Sequence, residues 1–302
     1  MDRRLGFLFV ALSALVFGSL GVTTKGVFNV ATTNAFSVTL LRAMIALPAT
    51  LVICALILGK SMLRISRGDL GIMVFAGLMM ALYQVAFVIA LTLANVTIAA
   101  LVTLCTVPVV AAVLSRMLLG EELQPSILLA LLCAIVGVAL LVGVDRLVEG
   151  GASTWIGVGL ALVSALSFGL FQVCGRVLAN RYHPMQTLSV FFFVAVLALL
   201  PITLVNGFVT AYPPVGWLLL AHLGLGISVL GYALLVLGLR TTPVTMATIV
   251  SLLEPLTSTL LAWLLLGERL GALGLLGAAL LLSAMVIVFR TSGAATADVA
   301  AA

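Results

Sequence analysis

Charged side chains are scarce in this sequence. Lysine, arginine, aspartate and glutamate together make up 8% of the 302 residues, whereas about 25% is usual in soluble domains. Hydrophobic residues make up 64%, and a soluble fold of this length has no interior large enough to bury them. The composition therefore excludes a soluble globular protein and indicates a polytopic membrane protein.

Residues that ligate metals or form nucleophile–base sets are also few. The two histidines and four cysteines show no CxxC or Cys/His spacing. No Ser/His/Asp set, phosphate-binding loop or nucleotide-binding domain is recognisable; Gly271, Gly274 and Gly277 follow no predicted strand and suit a close helix–helix contact. We therefore expect no metal, no cofactor and no enzymatic activity. The cysteines lie in apolar segments, at Cys54, Cys105, Cys133 and Cys174.

Long apolar segments dominate the chain. Crossing a bilayer takes about 20 apolar residues, and polar residues, glycine and proline divide the sequence into ten segments of about this length. They cover residues 5–25, 35–58, 70–92, 96–119, 125–144, 155–178, 185–205, 214–238, 243–266 and 271–289. The small, polar tail 291–302 is predicted to be disordered. The sequence thus predicts an all-α integral membrane protein with ten transmembrane helices.

The chain contains an internal duplication. Residues 13–18 read SALVFG and residues 164–169 read SALSFG, so the first apolar segment is interpreted as a membrane helix, although the arginines before it also suit a signal peptide. Residues 106–123 and 253–270 align without gaps, and each copy has a proline followed by LLGE. We therefore predict two five-helix units, over residues 1–146 and 147–290.

An odd number of crossings per unit decides the architecture. After five crossings the second unit enters the membrane upside down, and inverted repeats of this kind are typical of secondary transporters with a substrate site near the midplane. We expect two inverted five-helix repeats around a central cavity. Because both halves are present in one chain, we also expect a functional monomer.

The distribution of basic residues predicts the orientation. With a cytoplasmic N-terminus, ten of the fourteen lysines and arginines lie at cytoplasmic ends or loops and three on the other side, with Arg42 inside a helix. This bias matches the positive-inside rule. It predicts a bacterial-type inner-membrane protein with both termini in the cytoplasm. The net charge of +5 then reflects topology and does not indicate nucleic-acid binding.

Glu254 is the residue most out of place. It lies about 16 Å along its helix, near the middle of the bilayer, where an acid must be protonated, paired or facing a wet cavity. Ser251, Glu254 and Ser258 share one face, which favours a cavity-lining role, with substrate binding and proton coupling as possible functions. The alternative is a protonated glutamate that bonds a neighbouring helix.

Two prolines occupy equivalent positions of the repeat. Pro108 and Pro255 each remove a backbone hydrogen bond and are expected to kink their helices. Kinked backbone at this depth is tolerated beside protein or a water-filled cavity. Both prolines are therefore predicted to border the central cavity and to act in gating, or alternatively to serve packing alone. Val107 stands where Glu254 stands, so the predicted site is asymmetric.

Three other segments place polar or aromatic side chains at mid-depth. Together they suit a small solute with an apolar or aromatic body and a polar end, although an aromatic stripe at helical spacing also suits packing. The proposed lining residues are Tyr83, Gln84, Phe168, Phe171, Gln172 and Tyr232, together with Ser251 and Glu254.

The remaining basic groups allow more than one interpretation. Arg42 lies about 10 Å inside its helix, so it can snorkel to the interface, pair with an acid or contact substrate. His222 is expected at the outer interface. Lys25 and Arg176 end equivalent helices and are interpreted as interfacial anchors that could also attract anions.

The repeated motif P-x(11)-GE, ten helices and SAL-x-FG at the start of each half resemble the drug/metabolite transporter superfamily. The similarity is to its ten-span EamA-like branch and covers residues 5–290. The resemblance implies two inverted halves and export of small metabolites by alternating access. Members of the branch export amino acids, including aromatic and hydrophobic ones; others move drugs, nucleosides, sugars or phosphorylated metabolites.

The sequence therefore predicts an exporter of small neutral or zwitterionic metabolites, with neutral amino acids as the leading substrates. The alternative is an efflux carrier for drugs, nucleosides or other metabolites. A passive channel, a membrane-embedded enzyme acting on lipid-linked substrates and a non-transporting scaffold are further alternatives. The expected partners are the small-molecule substrate and the lipid bilayer.

Overall fold

The computed structural model describes residues 3–94, 96–142, 152–266 and 272–301, and within these ranges it contains helices and no strand. The helices are α1 Arg3–Gly18, α2 Leu20–Val30, α3 Ala35–Leu58, α4 Arg67–Leu93, α5 Val96–Leu119, α6 Pro125–Val142, α7 Ala152–Ala179, α8 Pro184–Val205, α9 Pro214–Ala221, α10 Tyr232–Gly238, α11 Val244–Ser251, α12 Leu253–Leu266 and α13 Ala272–Ala301. A 3₁₀ turn, Gly59–Leu63, follows α3, and a π-helical segment, His222–Gly231, joins α9 to α10.

Most of these helices are long and apolar enough to cross a bilayer. Eight candidate spans lie in the described residues, and two shorter apolar helices cover Pro125–Leu140 and Val244–Ser258. Crossing the hydrocarbon core takes about 17–25 helical residues. The structure is thus that of a multi-pass membrane protein, with helices at the positions of all ten predicted segments.

The ends of the chain differ from the predicted bounds. The first apolar helix continues through α2 to Val30, beyond the predicted end at residue 25. The sequence predicts a disordered tail from residue 291, whereas α13 continues to Ala301. Alanine is the strongest helix former and no proline interrupts this stretch. The predicted boundary at residues 146 and 147 lies outside the described residues, as do Gly271 and the second Gly-Glu pair.

Two interruptions occur where the sequence predicts continuous helices. The π-helical segment is rich in glycine; at Gly224 an added Cβ would lie 2.6 Å from Ile45 Cγ2, so the close approach to α3 requires glycine. Ser228 Oγ donates to the carbonyl of Leu223, five residues earlier, at 3.0 Å. The other interruption is at Leu252, between α11 and α12, which places Glu254 in the first turn of a new helix.

Packing is most extensive between the two halves of the sequence. The pairs α4–α7, α5–α7, α3–α8, α4–α8 and α6–α13 each join a helix of residues 1–146 to one of residues 147–301. The helix α1 packs in turn against α10, α11, α12 and the π-helical segment. Much of the apolar surface of each half is therefore buried against the other half.

Hydrogen bonds join the loops and helix ends near both ends of α3. At its N-terminal end, Asn34 Nδ2 donates to the carbonyl of Gly207 at 2.7 Å. At its other end, Asp69 accepts hydrogen bonds from Arg181 at 2.6 Å and from the Tyr182 hydroxyl at 2.8 Å. These contacts fix α3, α4 and α8 relative to one another and so fix the residues between them.

Glycine at position 77 allows α4 to approach α8 closely. An added Cβ at Gly77 would lie 2.7 Å from Val194 Cβ and 3.0 Å from the carbonyl oxygen of Phe191. We expect Gly77→Ala to lower the free energy of unfolding by about 1–3 kcal/mol through overpacking. The melting temperature in detergent measures the effect.

The matched control is Gly71→Ala on the same helix, where nothing lies within 4 Å of an added Cβ. Alanine has the higher helix propensity, by up to about 1 kcal/mol, so this variant should melt at the wild-type temperature or slightly above. Equal melting temperatures for the two variants would contradict the packing argument.

Candidate functional site

Two tyrosines from different halves meet in the interior. The hydroxyl groups of Tyr83 in α4 and Tyr232 in α10 are 2.5 Å apart and share a hydrogen bond. In the sequence, Tyr83 and Tyr232 lie at nearly the same distance after the SAL-x-FG motif of their own half. Tyr232 is buried and Tyr83 half-buried. The structure thus brings two of the predicted lining residues into direct contact.

Each tyrosine packs against a phenylalanine of the repeated SAL-x-FG motif. Phe17 lies against Tyr232 with ring centroids 5.0 Å apart, and Phe168 lies against Tyr83 at 4.9 Å. Rings at these separations attract each other in tilted or edge-to-face arrangements. Equivalent residues of the two halves therefore make equivalent contacts.

The serines of the same motif fix these contacts in register. Ser13 Oγ donates to the carbonyl of Gly231 at 2.8 Å, and Ser164 Oγ donates to the carbonyl of Tyr83 at 2.9 Å. Both serines are buried, where a hydroxyl group requires a partner. The repeated motif thus holds the first helix of each half against the segment that carries the tyrosine of the other half.

Further aromatic rings extend the cluster. Phe171 contacts Tyr232 at 5.7 Å and Phe191 at 5.3 Å, and Phe192 contacts Tyr232 at 6.0 Å. The side chain of Phe171 is 1% exposed, which favours the packing interpretation for this predicted lining residue. Sequence reasoning missed Phe191 and Phe192, because they belong to an apolar run with no distinguishing pattern.

Arg42 lies in this cluster and not at an interface. Its side chain is 9% exposed, and its guanidinium group donates a hydrogen bond to Gln84 Oε1. Gln84 Nε2 donates in turn to the carbonyl of Met80 at 3.0 Å, which holds the amide with its oxygen toward the arginine. Arg42 also interacts electrostatically with Tyr83. Of the alternatives for Arg42, snorkelling does not describe this placement.

Glu254 faces the same centre from the first turn of α12. It interacts electrostatically with Arg42, Tyr83 and Tyr232. No direct ion pair between Glu254 and Arg42 is recorded in the described part of the chain. Arg42 and Glu254 thus both act electrostatically on the same two tyrosines. The helices packed against α12 also carry Arg3, Arg4, Lys25, Arg290 and Asp298.

The two repeat-related prolines lie in different backbone settings. Helical structure is interrupted at Leu252, three residues before Pro255, whereas α5 is one continuous helix through Pro108. At Gly18 an added Cβ would lie 3.2 Å from the carbonyl oxygen of Glu254. The interruption at Leu252 therefore places the backbone of Glu254 directly against α1. The predicted gating roles of both prolines stay predictions.

Two predicted lining residues, Gln172 and Ser251, make no hydrogen bond to the tyrosine pair in the described structure. The amide of Gln172 is fully buried, and neither of its polar atoms has a hydrogen-bond partner among the described residues. Ser251 Oγ donates to the carbonyl of Ala247 within its own helix at 2.9 Å. Their predicted roles in substrate binding stay predictions.

Other polar residues considered from the sequence have defined contacts. Arg176 donates to the carbonyl of Leu239 and so joins α7 to the end of α10. His222 Nε2 lies 3.1 Å from Ser19 Oγ. At Gly137 of α6 an added Cβ would lie 2.9 Å from the carbonyl oxygen of Gly277, which supports the predicted close helix contact at this residue of α13.

Comparison with known proteins identifies the family. The EamA-like transporter family model matches residues 4–143 and 155–290, nearly the whole chain. The chain belongs to the EamA-like transporter family. The predicted membership of the EamA-like family is thereby confirmed.

Relatives of this EamA-like transporter are named only in general terms. An "uncharacterized transporter" of Archaeoglobus fulgidus is 29% identical over 95% of this chain and 97% of its own length. Proteins with similar names from Clostridium kluyveri and Bacillus subtilis, the latter called YwfM, are 23% and 25% identical over 95% of the chain; the matches cover 94% and 95% of those proteins.

The fold is also known from a solved structure. A crystal structure with 20% sequence identity superposes with a TM-score of 0.82 and covers 95% of this chain and 97% of its own. At this identity the similarity establishes the fold alone. In this EamA-like transporter, the buried Arg42, the acid Glu254 and the tyrosine pair then stand out as the group that a transported solute could contact.

Proposed function

We propose that the protein is a secondary transporter that exports small zwitterionic metabolites by alternating access, with neutral amino acids, including hydrophobic and aromatic ones, as the leading substrates. Ten transmembrane helices would form two inverted halves around a central site. The carrier would work as a monomer in a bacterial-type inner membrane, with both termini in the cytoplasm, as the bias of basic residues predicts.

The direction of α1 supports the inverted arrangement. Ser13 bonds to Gly231, and an added Cβ at Gly6, seven residues earlier, would lie 3.0 Å from the carbonyl oxygen of Gly238, seven residues later. From the first contact to the second, the position moves toward the N-terminus of α1 and toward the C-terminus of α10. The two helices are therefore antiparallel. The first helix of the first half therefore runs opposite to α10.

The helix α7 runs in the same direction as α10. Phe171 lies against Tyr232, and Arg176 lies further along α7 and donates to Leu239, further along the chain after α10. The first helix of the second half thus runs parallel to α10, and so opposite to α1. Opposite directions for equivalent helices are what an inverted repeat requires.

Support for the substrate class comes from Arg42 and Glu254, a basic and an acidic residue that both interact electrostatically with the tyrosine pair. The planar guanidinium of Arg42 presents a fork of donors that matches a carboxylate, and the carboxylate of Glu254 matches an ammonium group. Aromatic rings beside them, those of Tyr83 and Phe168, suit the apolar side chain of an amino acid. A zwitterion would satisfy both charges, which are costly to leave unpaired in a membrane.

Proton coupling follows from the same arrangement. A proton and a substrate ammonium group would compete for Glu254, because its carboxylate can bind only one of them at a time. Export of a neutral amino acid would then be coupled to uptake of a proton.

The second candidate is an efflux carrier for drugs or nucleosides. It is favoured by the size of the aromatic cluster, which extends through Phe17, Phe168, Phe171 and the tyrosine pair and would stack on planar solutes. It gives no role to the complementary charges of Arg42 and Glu254, so amino acids remain the first choice. A passive channel gives no role to them either.

Three related solutes test the proposal on purified protein. Phenylalanine carries both charges, phenethylamine lacks the carboxylate and 3-phenylpropionate lacks the ammonium group. A ligand of the native state must raise the melting temperature, and we expect phenylalanine to do so at far lower concentration than the two analogues. A nucleoside and a planar cationic drug test the second candidate.

Transport itself is measured by counterflow in proteoliposomes. Unlabelled phenylalanine outside should accelerate the efflux of labelled phenylalanine from inside, because a carrier reorients faster when substrate is bound. A channel has no such reorientation step, so its efflux should not be accelerated. Efflux without acceleration would indicate a channel. Absence of both stabilisation and efflux for every amino acid tested would overturn the proposed substrate class.

A further inference from the structure

The helix α11 receives its N-terminal cap from the other half of the chain. It begins at Val244, directly after Pro243, whose side chain makes no capping hydrogen bond. Both carboxylate oxygens of Glu121 accept a hydrogen bond from the backbone N–H of Val244, at 3.0 and 3.1 Å. A carboxylate is favoured here because the N-terminus of a helix carries unsatisfied N–H groups and a partial positive charge.

The sequence beside Glu121 explains how it reaches α11. Gly120 has φ of +67°, in the left-handed region that favours glycine, and α5 ends at Leu119 just before it. The backbone N–H of Glu121 donates to the carbonyl of Ser115 at 3.3 Å, which closes the turn. In the first copy of the repeated LLGE segment, glycine therefore ends the helix and glutamate bonds across to the other half.

A second contact closes the same end of the interface. Ser115 Oγ lies 2.9 Å from Thr245 Oγ1 and shares a hydrogen bond with it. Both side chains are buried. Together with the bonds from Val244 to Glu121, this contact joins the C-terminal end of α5 to the N-terminal end of α11 and leaves no exposed hydroxyl between them.

The two ends of this helix pair are not alike. The helix α5 packs against α11, whereas within the described residues no comparable contact joins α5 to α12, which continues the same segment toward the opposite side. A carrier that works by alternating access closes one side while the other is open. The interface is therefore closed at the Glu121 end.

We propose that Glu121 is a gating residue. Its hydrogen bonds to Val244, with the Ser115–Thr245 pair behind them, hold the two halves together at this end and break each time the central site opens there. In the proposed orientation this is the cytoplasmic end. The inference rests on the proposed transport function, and its tests use protein whose transport is measured in parallel.

Cross-linking tests whether this contact must open. Ser115→Cys and Thr245→Cys are combined in a chain whose four native cysteines are replaced by alanine. Oxygen atoms 2.9 Å apart occupy positions from which two sulfurs can form a bond of about 2.05 Å. Oxidation should reduce phenylalanine efflux to the background of empty liposomes, and a reductant should restore it.

The outcomes distinguish a failure of the gating proposal from a failure of the proposed transport function. Undiminished efflux from fully cross-linked protein would overturn the gate while leaving the transporter intact. Absence of efflux for every solute from the reduced, folded double variant and from the cysteine-containing parent would instead overturn the proposed function.

Substitution of the glutamate provides an independent test. A cysteine introduced by Ser251→Cys, in the same cysteine-free chain, reports access to the centre by its rate of labelling with an impermeant maleimide added on the Glu121 side. Loss of hydrogen bonds to a charged group through Glu121→Ala should raise this rate about tenfold.

The neighbouring Glu122→Ala is the matched control, because the side chain of Glu122 is exposed and its removal should leave the rate unchanged. Melting temperatures confirm that both variants are folded. Equal labelling of folded Glu121→Ala and Glu122→Ala protein would overturn the gating role.

Discussion

Replacing Arg42 with alanine should weaken the binding of phenylalanine by about 100-fold or more, the usual result of removing one partner of a buried charge pair. The arginine is 9% exposed and held by Gln84, so its guanidinium group has a fixed position in the interior from which to bind the carboxylate. Affinity for phenethylamine, which has no carboxylate, should change little. Dissociation constants for both ligands, measured by calorimetry or thermal shift, give the ratio that checks this prediction.

Two controls separate substrate recognition from folding. Arg67→Ala removes an exposed arginine at the start of α4 and should leave both affinities unchanged. Arg42→Lys keeps the charge but loses the planar fork of donors, so it should bind phenylalanine with intermediate affinity. Equal loss of affinity for phenylalanine and phenethylamine in Arg42→Ala would mean that Arg42 supports the structure and does not read the carboxylate.

Glu254→Gln should remove the pH dependence of binding and transport. In the wild type, lowering the pH should weaken phenylalanine binding, because protonation of Glu254 removes the anion that holds the ammonium group. Glutamine does not titrate, so its profile should be flat.

The same variant should bind phenylalanine at least about tenfold more weakly at neutral pH, since a charged partner is replaced by a neutral one. Affinity for 3-phenylpropionate should not fall, because this analogue has no ammonium group. Glu122→Gln, which alters an exposed acid, is the control. A pH profile that is unchanged in Glu254→Gln would exclude proton coupling through this residue without touching the fold.

Much of the central site was predictable, because the duplication marks it. The repeat pairs Tyr83 with Tyr232 and repeats SAL-x-FG, and the structure brings the two tyrosines into contact and places a motif phenylalanine beside each. An aromatic residue that recurs at mid-depth in both halves is therefore a useful sequence marker of a contact between them.

The placement of Arg42 was not predictable. An arginine 10 Å inside a helix satisfies its charge equally well at the interface or beside an acid, and depth alone does not choose between them. The choice depends on which face of α3 meets α4, where Gln84 accepts its hydrogen bond. Likewise, the repeated Gly-Glu pair was visible as a motif, but nothing in the sequence names Val244 as the partner of Glu121.

By itself, the sequence determined that the protein lies in a lipid bilayer, where its helices are and to which family it belongs. Apolar segments of membrane length, duplicated motifs and the spacing of charged residues are properties of the chain alone. Only the tertiary structure decided which polar residues meet, such as Arg42 with Gln84 and Glu121 with Val244, and which helices of the two halves pack together. These depend on contacts between residues far apart in the sequence, such as Ser13 and Gly231, which are 218 positions apart. A hydrophobic pattern specifies that a face is buried and leaves its partner undetermined, because apolar contacts are non-directional.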